Sequence, residues 1–479
     1  MKSPILPPPE SQITLEEWQH TPVHVQEWMG HLDKQIEALL EQVEKLQEAV
    51  RRNSQNSSQP PSQDQAEQKP RVEHLPSPRQ RGGQRGHAGH PRELVDRVDA
   101  VVRHRPLVCE RCGTLLLGED ARPYRFQVTE LPVLQPRVVE HQVHALVCGC
   151  CGATTKGQLP DQVAASQFGP HVTSLVGLLL GRYRLSKRQV SQLLEDVFGL
   201  SMAPSSVVNQ QRQVSAALAE PIEQLREYVK QQDACHVDET AWRQAEQARR
   251  SWLWTVVTRG VSIFHIAPSR ASHIARELLG ENYVGVACTD RYSAYTWLLV
   301  HQWCWSHLLR DGQKILERGG DSYPVGWNVK LQGEYLLMLW ARVRDNTLAY
   351  PDFLAELPAI QQLVHDWLQQ GTQATSARTV RTCRQLLAHE ECLWRFATRP
   401  ELDPTNNAAE RALRHPVLWR RASHGTQSEH GRLFVERILS AVETCRQQKR
   451  PVSDFLTQAI FAYRAQHSPP SLLPLSPQH

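Results

Sequence analysis

Apolar residues change their spacing several times along this chain, and each change marks a different kind of element. Between Leu32 and Val50 they recur at Leu32, Ile36, Leu39, Val43, Leu46 and Val50, in alternating steps of four and three. That is the a/d seam of a helix flanked by Glu, Gln and Lys, and it predicts a helical N-terminus over residues 1–52. Two readings of the seam stay open, self-association as a coiled coil and packing against its own protein. Over residues 53–78 the period is lost; NSQNSSQPPSQDQAEQK is polar and of low complexity, the composition of a disordered linker. Helical spacing returns from Gly169. Leu185–Gln213 reads as a helix, a Gly-containing turn and a second helix opened by Pro204 and Ser205. This is helix-turn-helix phrasing within a helical segment, 166–232, and it predicts Asn209, Gln210, Gln211 and Arg212 as exposed polar groups able to touch DNA.

At Ala234 the period drops to two. In ACHVDETAW, residues His236, Asp238 and Thr240 fall on one face of a strand and Cys235, Val237 and Glu239 on the other. SWLWTVV and VSIFHIA follow as two more strands around a Thr-Arg-Gly break. ASHIARELLG then reads as a helix, and YVGVACTDRYSAY as a fourth strand that delivers Asp290. Thr296–Leu316 predicts a strand leading into a helix, completing the first part of a core at 233–318. Residues 319–402 are helical, with Trp340 and Trp367 as core candidates, and form an insertion. The last part of the core, 403–466, opens with a helix capped by Asp403 or Asn406, and a disordered tail occupies 467–479.

The acidic residues alter this picture. Asp238 and Asp290 end strands that could lie side by side, which points past ordinary turn residues to a metal site, and Glu410 is the third candidate in the first turns of its helix. Around Glu410 the chain is rich in Arg, including Arg411, Arg414, Arg420 and Arg421. A second chemistry lies upstream. VCERCG and VCGCCG each carry a CxxC followed by Gly, so Cys109, Cys112, Cys148 and Cys151 have the spacing of a structural zinc ribbon, with PYRFQVTELPVLQPRVVEHQVHAL predicted as two strands between them. Before it, RQRGGQRGHAGHPR has no acid and offers Arg79, Arg81, Arg85 and Arg92 to a DNA backbone, so that 79–165 reads as a basic arm plus zinc-ribbon DNA-binding domain. Cys304 and His307 have C-x2-H spacing; with no second pair nearby, they read as packing and orienting the site.

Net charge is only +4 and gives no global signal, so local clusters carry the argument. The start lacks an apolar signal region and SLVGLLLG is too short to span a bilayer, which predicts a cytoplasmic protein without membrane partners. An odd count of 11 Cys fits thiols and metal ligands in a reducing compartment.

Taken together, HVDETAW, TDRYSAY, CWSHLLRD, NNAAERALR and LWRRASHGTQSEHGRLFVERILSAVETCRQ resemble the insertion-sequence-66 family of bacterial transposases, in the family's order and over nearly the whole chain. Arg291, where Gly often follows the second acid, and Leu308–Leu309, in place of a more basic run, mark a divergent branch. The resemblance implies a multidomain α+β or α/β protein with a ribonuclease-H-like mixed-sheet core, and an acidic triad of Asp238, Asp290 and Glu410. It also implies two Mg²⁺ (or Mn²⁺) ions, bridged by Asp238, for cleavage at terminal inverted repeats and strand transfer into target DNA. A homodimer or higher oligomer, element-encoded accessory proteins and association with the nucleoid are further implications. A nuclease or resolvase that cuts without joining, and a non-catalytic zinc-ribbon regulator, are the alternatives.

Overall fold

The computed structural model describes residues 93–474 apart from 165, 246–250, 400–401 and 424, together with short pieces between 20 and 43. Most of the predicted heptad, the linker at 53–78 and the basic arm with Arg79, Arg81, Arg85 and Arg92 lie outside the described residues.

Strands β1 (Ala145–Val147) and β2 (Thr154–Lys156) form a small hairpin around the second CxxC. Of the two strands expected between the CxxC pairs, only the last residues of the interval are paired, as β1; residues 123–144 carry no regular secondary structure. The physical reason is burial. Tyr124 is 90% and Val138 89% exposed, so no apolar face is available against which a ladder could pack.

Helices α1 (Pro170–Gly181), α2 (Lys187–Phe198), α3 (Pro204–Ala217) and α4 (Ala219–Lys230) come next. A capping box on Ser186 starts α2, and Gly199, at φ 61°, ends it in the left-handed conformation glycine tolerates. The predicted helix pair is therefore present, and on its second member Asn209 and Arg212 are exposed as expected while the opposite face is buried. Gln210, expected on the surface, is buried and accepts from the Thr173 hydroxyl at 2.7 Å; α3 packs on α1 and turns that face inward.

The central sheet has the order β5-β4-β3-β6-β7, with β3 (Ala234–Trp242), β4 (Ser251–Val257), β5 (Ser262–Ala267), β6 (Val286–Thr289) and β7 (His301–Trp303). The first three form an antiparallel meander, while β6 and β7 run parallel to β3 after the crossover helix α5 (Ser272–Leu279). This gives a mixed α+β core of five strands. Helix α6 (Trp305–Leu316) follows β7, and α7 (Ser322–Arg344), α8 (Tyr350–Gly371) and α9 (Ala377–Ala388) build the helical insertion around a second core of Trp340, Phe353, Leu357 and Phe396. The chain returns through α10 (Asn407–Ser423), α11 (Glu429–Gln447) and α12 (Val452–Arg464).

Helix α11 covers the open edge of the sheet. Glu436, Ser440 and Thr444 accept hydrogen bonds from the backbone N–H groups of Ile266, Phe264 and Ser262 at 2.8, 2.9 and 3.1 Å. Four helical residues advance about 6 Å and two strand residues about 6.8 Å, so side chains every helical turn meet alternate edge amides. Three unpaired donors are thereby satisfied and the edge is closed to another strand.

Candidate active site

Asp238 does not end its strand as expected: it is the middle residue of β3, because pairing with β4 continues to Trp242, whereas Asp290 directly follows β6. The parallel register sets His236 against Cys288; continued by two residues, it places Asp238 level with Asp290 and on the same face. Glu410 comes from elsewhere in the chain. Helix α10 buries Ala409, Ala412 and Leu413 and packs across β3 and β4, leaving the Glu410 side chain 34% exposed beside the strand ends. Leu413 is buried one turn after Glu410, as the sequence suggests.

A backbone junction holds this helix in place. The amide of Trp305 donates to the Pro404 carbonyl at 3.0 Å, and that of Asn406 donates to Cys304 Sγ at 3.1 Å. The Asn406 side chain is fully buried and donates through Nδ2 to the Val237 carbonyl at 2.7 Å, next to Asp238. Asn406 thus joins three elements, a role that its sequence position as a helix cap does not announce. Trp340 Nε1 donates to Asp403 at 2.7 Å and fixes the approach to the same junction.

Electrostatics mark the carboxylates as a crowded group. Burial, then the charges of Glu239, Asp290 and Glu410, push the Asp238 carboxyl well above the usual carboxylate range. Burial also raises Asp290, against the Tyr292 amide and the charges of Arg270 and Arg310. Glu239, on the opposite face of β3, is buried; its carboxylate pairs with Arg270 at 2.6 Å and accepts from the Tyr295 hydroxyl. Arg270 also lies over the Tyr292 ring at 3.7 Å, so this network ties β3 to the loop carrying Asp290. Sequence reasoning missed it, although an acid at a buried parity of a strand calls for a partner.

The remaining candidates separate clearly. Arg212, Arg411, Arg414 and Arg421 are exposed. Arg420 instead donates to Thr240 Oγ1 at 2.9 Å and to the Ala241 carbonyl. Arg291 pairs with Asp311 and reaches Gln385 of the insertion, so its side chain bridges core and insertion. Burial lowers His307 to about 4 and raises Cys304 to about 11. Each CxxC forms a knuckle: Gly113 and Gly152, at φ 73° and 72°, donate to the carbonyls of Cys109 and Cys148 at 2.8 Å. Among the described residues no three of these thiols come within 4.8 Å of one another.

This five-stranded mixed sheet with its covering helices is the core of a transposase, a DNA-processing enzyme. The profile described as Transposase IS66 family matches residues 166–432, and the chain belongs to that family. Residues 6–93 match a family of unknown function, DUF6444. Two relatives from Sinorhizobium fredii are uncharacterized proteins: y4hP, 22% identical over 73% of this chain and 69% of its own length, and y4qI, 23% identical over 78% and 73%. Among the described residues no helix is long and apolar enough to cross a membrane.

Proposed function

We propose that this transposase cuts DNA at the ends of its element and joins the freed 3′ ends to target DNA, using Asp238, Asp290 and Glu410. The observation that carries the reading is the placing of Asp238 level with Asp290 on adjacent parallel strands, with Glu410 on α10 near enough for its charge to raise Asp238; the three carboxylates do not all lie within 4.8 Å of one another, and a bound cation would draw them together. The sheet order, with its antiparallel meander extended by two parallel strands, supports a ribonuclease-H-like core. Hard carboxylate oxygens in a group that resists charge suit hard divalent cations, Mg²⁺ or Mn²⁺. Bound there, such ions would activate a water and stabilise charge developing on the scissile phosphate.

The chain's own residues position the reactants. Arg411, Arg414 and Arg421, spaced three and seven apart, share one exposed stripe of α10 beside Glu410, where they would hold phosphates without reading bases. The Glu239–Arg270–Tyr292 network holds the two aspartates in relative register. In the joining step the 3′ hydroxyl oxygen forms a bond to a target phosphorus, and the target's own 3′ oxygen leaves. Element ends would be read by the knuckle segment and the basic arm.

The test uses the full chain with Mg²⁺ and a plasmid carrying the DNA that flanks its gene. Asp238→Ala, Asp290→Ala and Glu410→Ala should each abolish nicking and retain the plasmid in a filter-binding assay. Nicking by any single variant overturns the assignment. Failure to join an oligonucleotide with a free 3′ hydroxyl, in an enzyme that nicks, would make it a nuclease.

A further inference from the structure

Beside the aspartates lies a second donor set of different chemistry. Among the described residues, Cys304, His307 and Glu410 form the one group of three or more Cys, His, Asp or Glu side chains whose donor atoms all lie within 4.8 Å of one another. The arrangement follows from the fold. Cys304 is the N-cap of α6 and His307 its third residue, positions whose side chains face each other across a first helical turn. Glu410 is in the first turn of α10, whose start is bonded to the start of α6 through Trp305–Pro404 and Asn406–Cys304. The two helix starts are thus held together by one main-chain bond, Trp305–Pro404, and by a second whose acceptor is the Cys304 sulfur itself.

We infer that Cys304, His307 and Glu410 bind a thiophilic divalent cation, with Zn²⁺ as its physiological type, and that this ion inhibits DNA cleavage by withdrawing Glu410 from Asp238 and Asp290. A thiolate, an imidazole and a carboxylate are a borderline-soft set that favours Zn²⁺ over Mg²⁺, whereas the two aspartates offer only hard oxygen. Bonds of about 2.0–2.3 Å in a tetrahedral site put ligand atoms about 3.3–3.7 Å apart. His307 Nδ1 and Glu410 Oε1 already stand at 3.8 Å, so closure needs small rotations of two partly exposed side chains. His307 Nδ1 is buried and makes no hydrogen bond, which leaves its lone pair or proton without another use. Cys304 is fully buried. Glu410 cannot serve both groups at full strength, and a soft ion tied to sulfur would hold it more firmly than Mg²⁺ does.

The cation site stands on geometry alone; the inhibition rests on the function proposed above, and two measurements keep them apart. The first is cobalt titration of the full chain with Cys109, Cys112, Cys148, Cys150 and Cys151 all replaced by Ser, so that the knuckles are silent. One equivalent of Co²⁺ should give a sulfur-to-cobalt charge-transfer band, which Cys304→Ser removes and His307→Gln weakens; both variants are first checked for an unchanged circular dichroism spectrum. Absence of the band, or its persistence in Cys304→Ser, overturns the site. The second measures plasmid nicking in Mg²⁺ with and without Zn²⁺, read as the ratio of the two rates within each variant. Zn²⁺ should inhibit the parent, and Cys304→Ser should raise the inhibitory concentration by about 10-fold or more. Equal inhibition of both overturns the switching role while leaving the cobalt result intact. A parent that never nicks counts against the proposed function, and the cobalt titration still decides the site.

Discussion

The side chain of Asn406 is the most direct handle on how the third carboxylate is aimed, and Asn406→Ala is its test. The substitution deletes a fully buried amide that donates to Val237 at 2.7 Å. It leaves that carbonyl without this partner inside the protein, a loss of about 1–3 kcal/mol of stability. The catalytic effect should be larger than the stability loss suggests. Val237 adjoins Asp238 in β3, and Asn406 immediately precedes the helix that carries Glu410, so the lost bond is the direct link between the two. A shift of about 1 Å between reacting groups costs on the order of 100-fold in rate. The assay pairs urea unfolding with single-turnover nicking over a Mg²⁺ series, and Ser440→Ala supplies the control. Ser440 is buried too, accepting from the Phe264 amide at 2.9 Å and donating to the Glu436 carbonyl at 2.7 Å, but on the far edge of the sheet. Both variants should lose similar stability, and only Asn406→Ala should lose rate. If the two fall together in rate, Asn406 is merely structural; a stability change within about 0.5 kcal/mol would show that the hydrogen bond itself contributes nothing.

Two further outcomes follow from the packing. Burial raises the Glu436 carboxyl, but its hydrogen bond with His265 and the charges of His265 and Arg432 outweigh this and hold it below the usual Glu value of 4.5. A depressed folded value contributes stability that is present above that usual value and is lost as pH falls through the folded one. Glu436→Gln should therefore cost about 3 kcal/mol at neutral pH, the low end for a broken buried pair because Arg226 and Arg432 keep some solvent contact, and should flatten the acid side of the stability profile measured by urea unfolding; an unchanged acid slope counts against it. Gly425 has φ 92°, and a Cβ there would meet the Arg243 carbonyl oxygen at 2.1 Å, where the chain pairs through Thr426 with the end of β3. Gly425→Ala should cost about 1–3 kcal/mol in the same measurement, and a neutral result would mean that this junction is loose.

What the sequence made legible is whatever repeats. Alternation in ACHVDETAW places Asp238 on its strand and Glu239 on the opposite face, and the structure keeps both parities. Asp290 at a strand end and Glu410 in a first helical turn stand where those periods put them. The failures share one cause. Gln210 looks like a solvent-facing residue in a polar run, yet its partner Thr173 lies 37 residues away, and only the packing of α3 on α1 brings it there. The stretch between the CxxC pairs has the right residue types, but Tyr124, Phe126, Val128 and Val138 stay exposed with nothing packed on them.

Glu436, Ser440 and Thr444 recur every fourth residue on a buried helical face, which is a pattern a sequence can display. Their meaning depends on which strand forms the sheet edge, since only edge amides lack a ladder partner. The same holds at the site. Periodicity can put an acid on a strand and another on a helix, but it cannot say that the α6 and α10 N-termini are bonded to each other through Asn406 and Cys304. That contact spans 102 residues across the whole helical insertion. It explains why a C-x2-H without a second pair is not an isolated motif: its missing ligand is supplied by the helix that also carries the third acid. The insertion separates Cys304 from Glu410 along the chain, and the core brings them within 4.8 Å. Glu410 is consequently shared between hard and soft donor neighbours, a conflict no local reading of either segment contains.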